Sequence, residues 1–450
     1  MAFYRDRLGI DLDGCGPEAR FVFEVLAKWA AVDAADAFSS KVLAARLHQA
    51  EKLVSGALYE LVQARAVMQE KRKPKGRGRP AVKYELSPHL LADIQNRPSS
   101  YGIHSDILER LFSNEDLVVL MPCSKPTNKG AREESARKGK QAPTGTRSRL
   151  TACNRLLLGA LLVNADKFGV VRGVSRAELR RLTGFDTASL THRLQRITDL
   201  GLIRRSVPGL SSSIFNGGKV TSTFFLNLNH ASLAGGKCAL LVHLAFDRDR
   251  YRFRHADVLL LDVKNSRHRD VVTPMSVTSF LSKQRPRVFN VIQVMLYRYA
   301  SHLLSHHWNA LAQSRGIDDD RVGEMIWEDF RAPERLSDRA EVDSHFCMLA
   351  FEIARDFRSR FSRTTEVMFA DHDMTILPVA GDLGYSVITM IVAPVPAGIS
   401  ECIVFEEVAY GGLTVRLHEQ EVDIALQNRY DFGLLTASRK GTPVNFKNSC

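Results

Sequence analysis

Residues 175–205 read SRAELRRLTGFDTASLTHRLQRITDLGLIRR, and this stretch decides the fold of the first half of the chain. Ser175-Arg176-Ala177-Glu178 has the spacing of a capping box: the hydroxyl caps a helix start and the carboxylate reaches back to the cap's own N–H. Leu179 and Leu182 are the inward positions of that short helix. Gly184 ends it in a tight turn, and Asp186 caps the next helix. There Leu190, Leu194 and Ile197 recur at i, i+4 and i+7, one buried stripe. Gly201 stands where a helix end needs a left-handed residue. Leu202–Val207 reads as a strand, Pro208–Lys219 as a Gly/Ser-rich turn and Val220–Leu228 as the returning strand.

Two helices joined by a tight turn and followed by a hairpin resemble the winged helix-turn-helix domains of bacterial transcription regulators. The resemblance spans about 80 residues, 150–230, and specifies the fold rather than one regulator family. It implies that the second helix enters a major groove by its N-terminal part. At about 100° per residue, Ala188, Thr191, His192, Gln195 and Arg196 point away from the apolar stripe. Ser189, Thr191, His192 and Gln195 are therefore the base-edge candidates. Arg193, Arg196, Arg204 and Arg205 are placed for phosphates.

Working outward, residues 15–90 repeat the pattern. A helix over 18–34 precedes two short helical patterns within 40–64. Val54, Leu58 and Leu61 form the second stripe, leaving Lys52, Ser55, Gly56, Tyr59 and Gln63 outward. Gly56 costs about 1 kcal/mol relative to Ala inside a helix; close approach of backbone to phosphate would account for it, and so would plain tolerance. Ala66–Glu70 and Val82–Leu86 read as strands flanking KRKPKGRGRP. Lys71, Arg72, Lys73, Lys75, Arg77 and Arg79 carry no acid among them, as expected of a wing lying along a DNA backbone or in a minor groove. Lys52, Ser55 and Tyr59 complete the expected contacts of this copy. Residues 122–149 lack apolar periodicity and read as a flexible basic linker.

Charge supports a polyanionic partner. The net charge is +12 and the pI about 9.4. Residues 1–240 carry +15 and residues 241–450 carry −3, counting Lys and Arg against Asp and Glu. The excess thus sits with the two candidate DNA readers. The seven cysteines form no C-x-x-C pair and read as reduced thiols. The N-terminus has no apolar signal-peptide core.

Residues 239–262 look strand-like (CALLVHLAF, then ADVLLLDV). Residues 287–313 and 341–362 read as long helices. Strands are expected at Thr375–Val379, Ser386–Ala393, Cys402–Glu407, Leu413–Leu417 and Val422–Leu426. Helices then strands in blocks give an α+β domain over 239–450. No nucleotide-binding, metalloprotease or hydrolase motif is present. His302, His306 and His307 could supply a metal pair, and Asp371-His372-Asp373 a ligand or acid/base group. A polar helix edge and a capped turn are the plainer readings. Asp318-Asp319-Asp320 suits a helix start.

The sequence therefore predicts an α+β protein: two winged helix-turn-helix domains, then a mixed domain of helices and antiparallel strands. The expected function is a cytoplasmic, nucleoid-associated regulator of transcription, repressor favoured, that binds double-stranded DNA sequence-specifically. It is expected to be a homodimer through residues 239–450, with a possible protein partner, no membrane, no cofactor, no metal and no catalysis. A plasmid or phage replication initiator is the alternative, since such proteins also pair winged helices. A DNA-processing enzyme with its site in 240–450 is the second.

Overall fold

The computed structural model describes residue 12 and residues 14–32, 38–72, 81–96, 102–112, 150–233, 235–247, 253–266, 272–313, 316–362, 371–379, 383–395 and 400–436. The architecture is mixed α and β, with helices followed by antiparallel-dominated sheets. The chain divides into two compact units. The first holds the described residues up to Leu202 with Ser232 and Leu233; the second runs from Ile203 to Ala231 and from Gly235 on. No helix among the described residues is long and apolar enough to cross a membrane.

The first unit opens with α1 (Pro17–Val32), α2 (Ser40–Arg46) and α3 (Glu51–Gln63), then the hairpin β1 (Val67–Arg72) and β2 (Ala81–Leu86). Register runs from Val67 opposite Leu86 to Arg72 opposite Ala81. Two further helices, α4 (Pro88–Asn96) and α5 (Ser105–Leu111), come before α6 (Ala152–Val163), the short strand β3 (Val170–Val171), α7 (Arg176–Thr183) and α8 (Thr187–Asp199). α1 and α6 are the long apolar helices of the two copies, and they pack on each other as well as on their own partners. α1 contacts α3 and α6; α6 contacts α7 and α8. Phe21 and Phe112, both fully buried, lie with ring centroids 5.9 Å apart between them. Gly159 allows this fit: a Cβ there would sit 2.8 Å from the Phe112 ring. The helices of the two copies thus share one core.

In the second unit, β4 (Ile203–Val207) and β7 (Thr223–Leu226) form an antiparallel hairpin. The two-residue pair β5 (Leu210–Ser211) and β6 (Lys219–Val220) lies between them. A five-stranded sheet follows in the order β12-β11-β8-β10-β9. Its strands are β8 (Ala239–Leu244), β9 (Asp373–Leu377), β10 (Val387–Ala393), β11 (Cys402–Val408) and β12 (Gly412–His418). Only β11 and β8 pair parallel. Between β8 and β9 the chain forms α9 (His255–Lys264), α10 (Met275–Phe280), α11 (Pro286–His307), α12 (Asp320–Asp329) and α13 (Leu336–Ser362). α11 and α13 pack together, α11 against β9 and α13 against β8. The core between helices and sheet holds Leu241, Leu296, Phe346, Met390 and Phe405.

Two expected strands are helical. ADVLLLDV lies in α9, because the Asp257 carboxylate caps its start by accepting from Arg254 N at 3.1 Å and a short apolar run has no period of its own. Val422–Leu426 is a helical turn at Glu421–Asp423 leading into α14 (Leu426–Asp431), behind a capping box, Gln420 with Asp423.

The histidines of α11 are tied to Asp319, the N-cap of α12. His302 Nε2 and His307 Nε2 lie 3.0 and 2.7 Å from Asp319 Oδ2, and His306 stacks on His302. Among the described residues, no group of three or more His, Cys, Asp or Glu side chains could hold a metal. Burial holds His302 below the usual histidine range, against the pull of Asp319. Burial acts to raise Asp319, but the hydrogen bonds from His307 and His302 outweigh it and hold the carboxyl low. Both depressed values act in one direction. The histidine contribution is full above about pH 6.5 and falls as pH drops toward the lower folded value; the Asp319 contribution goes at still lower pH. The melting temperature should therefore decline from about pH 6.5 downward, and His302→Gln should flatten the upper part of that decline. A melting temperature that rises on acidification through this window would refute the assignment.

Candidate nucleic-acid interface

The α7–α8 pair is built by local signals. The Ser175 hydroxyl accepts from Glu178 N at 3.0 Å and starts α7. Gly184 ends it at φ +72°, where a Cβ would meet Cys15 O at 2.6 Å and Arg20 Nε at 2.8 Å; only glycine fits this turn. Asp186 starts α8, its carboxylate accepting from Ser189 N at 2.8 Å and from Ser189 Oγ at 2.7 Å. Those bonds, the hydroxyl's first, hold its carboxyl below the ordinary range. Leu190, Leu194 and Ile197 are buried as the stripe requires.

The opposite face of α8 is open. Thr187, Ala188, Thr191 and His192 are exposed, and Ser189, Arg193, Gln195 and Arg196 are half-buried. Thr191 Oγ1 donates to Thr187 O at 2.9 Å and accepts from Arg176 Nη1 at 3.2 Å. Gln195 Nε2 donates to Asp199 Oδ1 at 2.8 Å. Three further arginines of α7, Arg176, Arg180 and Arg181, are exposed, and Arg176 reaches this face through its bond to Thr191. The sequence reading did not single them out, although they stand at i, i+4 and i+5 of one short helix.

It also missed Arg20, which no local pattern marks. This buried α1 residue donates to Cys15 O (3.0 Å), Leu12 O (2.9 Å) and Arg181 O (2.9 Å). One side chain from the first copy thus satisfies a carbonyl at the C-terminal end of α7 in the second.

In the first copy, the Ser39 hydroxyl caps α2 by accepting from Val42 N. Val54, Leu58 and Leu61 of α3 are buried. Lys52, Gly56 and Tyr59 are exposed and Ser55 is half-buried. No atom lies within 4 Å of a Cβ built on Gly56, so packing does not demand glycine there. Lys71 and Arg72 sit on β1. Their side chains, and Lys73, Lys75, Arg77 and Arg79 entirely, lie outside the described residues, as does the 122–149 segment read as a linker.

One expected phosphate contact is corrected. Arg204 is 2 % exposed and forms a two-pronged ion pair with Glu421, Nη2 to Oε2 at 2.6 Å and Nη1 to Oε1 at 2.8 Å. The register of β4 against β7 shifts between Ile203 and Arg205, so Arg204 stands opposite no residue of β7. Arg205 pairs with Phe225 and is half-buried.

The chain matches no protein-family model, no curated protein and no solved structure.

Proposed function

We propose that this chain binds double-stranded DNA sequence-specifically through two winged helix-turn-helix copies and acts as a regulator of transcription. The observation that carries this reading is the open face of α8. Thr187, Ala188, Thr191 and His192 are exposed at its N-terminal half, framed by arginines of α7 and α8. Small polar groups at the start of a helix flanked by guanidinium groups suit base edges and phosphates respectively. The shared α1–α6 core supports a second point: α3 and α8 are carried by one unit, so two half-sites would be read at fixed spacing.

The test uses full-length protein and bound fragments selected from a genomic library. One enriched motif with a constant internal spacing is expected. Inserting about 5 base pairs, half a helical turn, between its halves should cost at least tenfold in affinity. Arg193→Ala with Arg196→Ala should weaken binding to all sequences and flatten the salt dependence by up to about one unit per lost phosphate contact. Thr191→Ala or His192→Ala should instead relax the preference at one base position. Uniform weak binding without a motif, unchanged by these substitutions, would refute the reading.

A further inference from the structure

We propose that β12 is a dimerisation edge, along which two copies of this chain join antiparallel, β12 to β12, in a register centred on Val415. β12 is the last strand of the five-stranded sheet and, among the described residues, pairs only with β11. Its outer side offers a row of main-chain donors and acceptors seven residues long. The opposite edge is different: four of the five residues of β9 are buried.

The side chains of β12 are unusual for a free edge. Val415 is 44 % exposed and Leu417 64 %. Their neighbours across the ladder, Phe405 and Ile403 of β11, belong to the buried core. The apolar face of the sheet therefore runs on to an edge that is open among the described residues.

The strand sequence, GLTVRLH, selects a second copy as the occupant. Directly opposed residues of an antiparallel pair point to the same face, so only registers placing apolar against apolar are acceptable. Centred on Val415, all seven residues find partners. Val415 faces itself, Leu413 faces the second copy's Leu417, Thr414 its Arg416, and Gly412 its His418. Centring on Arg416 would set two guanidinium groups face to face, and centring on Thr414 would leave Leu417 and His418 beyond the paired strand.

Charge agrees. Arg416 forms an ion pair with Glu406 of β11, which stands opposite Thr414. In the Val415 register the row Glu406, Thr414, second-copy Arg416 lies beside its two-fold equivalent. Two cations and two anions then meet on the polar face while the leucines and valines meet on the other. A strand pair alone is smaller than the roughly 800 Å² per partner of a standard stable interface, so the dimer should depend on concentration.

Sedimentation equilibrium of the full chain over a wide concentration range should show monomer and dimer in exchange. Val415→Lys, at an exposed position, should leave melting of the dilute monomer unchanged and weaken dimerisation at least tenfold. Val415→Cys should give an intermolecular disulfide under mild oxidation, since opposed Cα atoms about 4.5–5.5 Å apart suit that bond. Wild type treated alike controls for the native cysteines, and Thr414→Cys should cross-link less. Monomer at every concentration, or a dimer indifferent to Val415→Lys, would overturn the proposal. Stronger cross-linking at Thr414→Cys would overturn its register.

Discussion

Glu421→Ala should cost about 3–5 kcal/mol of folding stability. The substitution leaves the Arg204 guanidinium buried, at 2 % exposure, without its counter-charge. Both prongs of the pair are lost, and the guanidinium's remaining hydrogen bond among the described residues, Arg204 Nη1 to Leu434 O, is long at 3.5 Å. Truncating one member of such a pair is far worse than replacing both, because the desolvation of the survivor is no longer offset. Arg204→Met combined with Glu421→Leu should therefore recover most of the loss. Urea unfolding of wild type, both single variants and the double closes the cycle. If Glu421→Ala cost under about 1 kcal/mol, the value of an exposed pair, water would have to reach the guanidinium and the site would not be closed. The main-chain anchor nearby, Thr436 Oγ1 donating to Arg204 O at 2.6 Å, would be untouched by either substitution.

Phe21→Ala should cost about 3–5 kcal/mol as well, and it should loosen the support of α3 and of α6, which carries α8, at once. Phe21 is fully buried on α1. Its ring packs against Phe112, and the Arg155 guanidinium of α6 lies 5.3 Å from its centroid. Truncation opens a cavity in the core that α1 shares with α3 and α6. Phe21→Leu, which keeps most of the volume, should cost markedly less. Thermal unfolding and DNA affinity measured on the same preparations separate the outcomes. If Phe21→Ala left the unfolding midpoint in place, α1 and α6 would not share a core, and the expectation of fixed half-site spacing would fall with it.

These two cases mark where sequence reading succeeds and where it stops. The exposed positions Thr191 and His192 were legible from helical arithmetic, because the stripe Leu190, Leu194, Ile197 repeats within one helix. Arg204 and Arg205, both placed for phosphates by the sequence, carry no local sign that one of them is buried: Glu421, which pairs with Arg204, stands 217 residues away. ADVLLLDV went wrong for another reason: three consecutive leucines fit a buried strand and a helix equally, and the Asp257 carboxylate that holds the Arg254 N–H lies at the helix start.

By itself the sequence determined the local elements: the caps at Ser175 and Asp186, the turn at Gly184, the apolar stripes of α3 and α8, the hairpin strands β1 and β2, and the basic balance of the first half. The caps, the turn and the stripes act within about four residues, where chain geometry fixes who meets whom; the hairpin and the charge balance are read from short runs and from composition. Only the tertiary structure decided that α1 and α6 share a core, that Arg20 closes the end of a helix 161 residues away, and that Arg204 finds Glu421 across 217 residues. Pairings at that separation depend on how whole elements pack, and burial alone turns an arginine that reads as surface charge into a core residue.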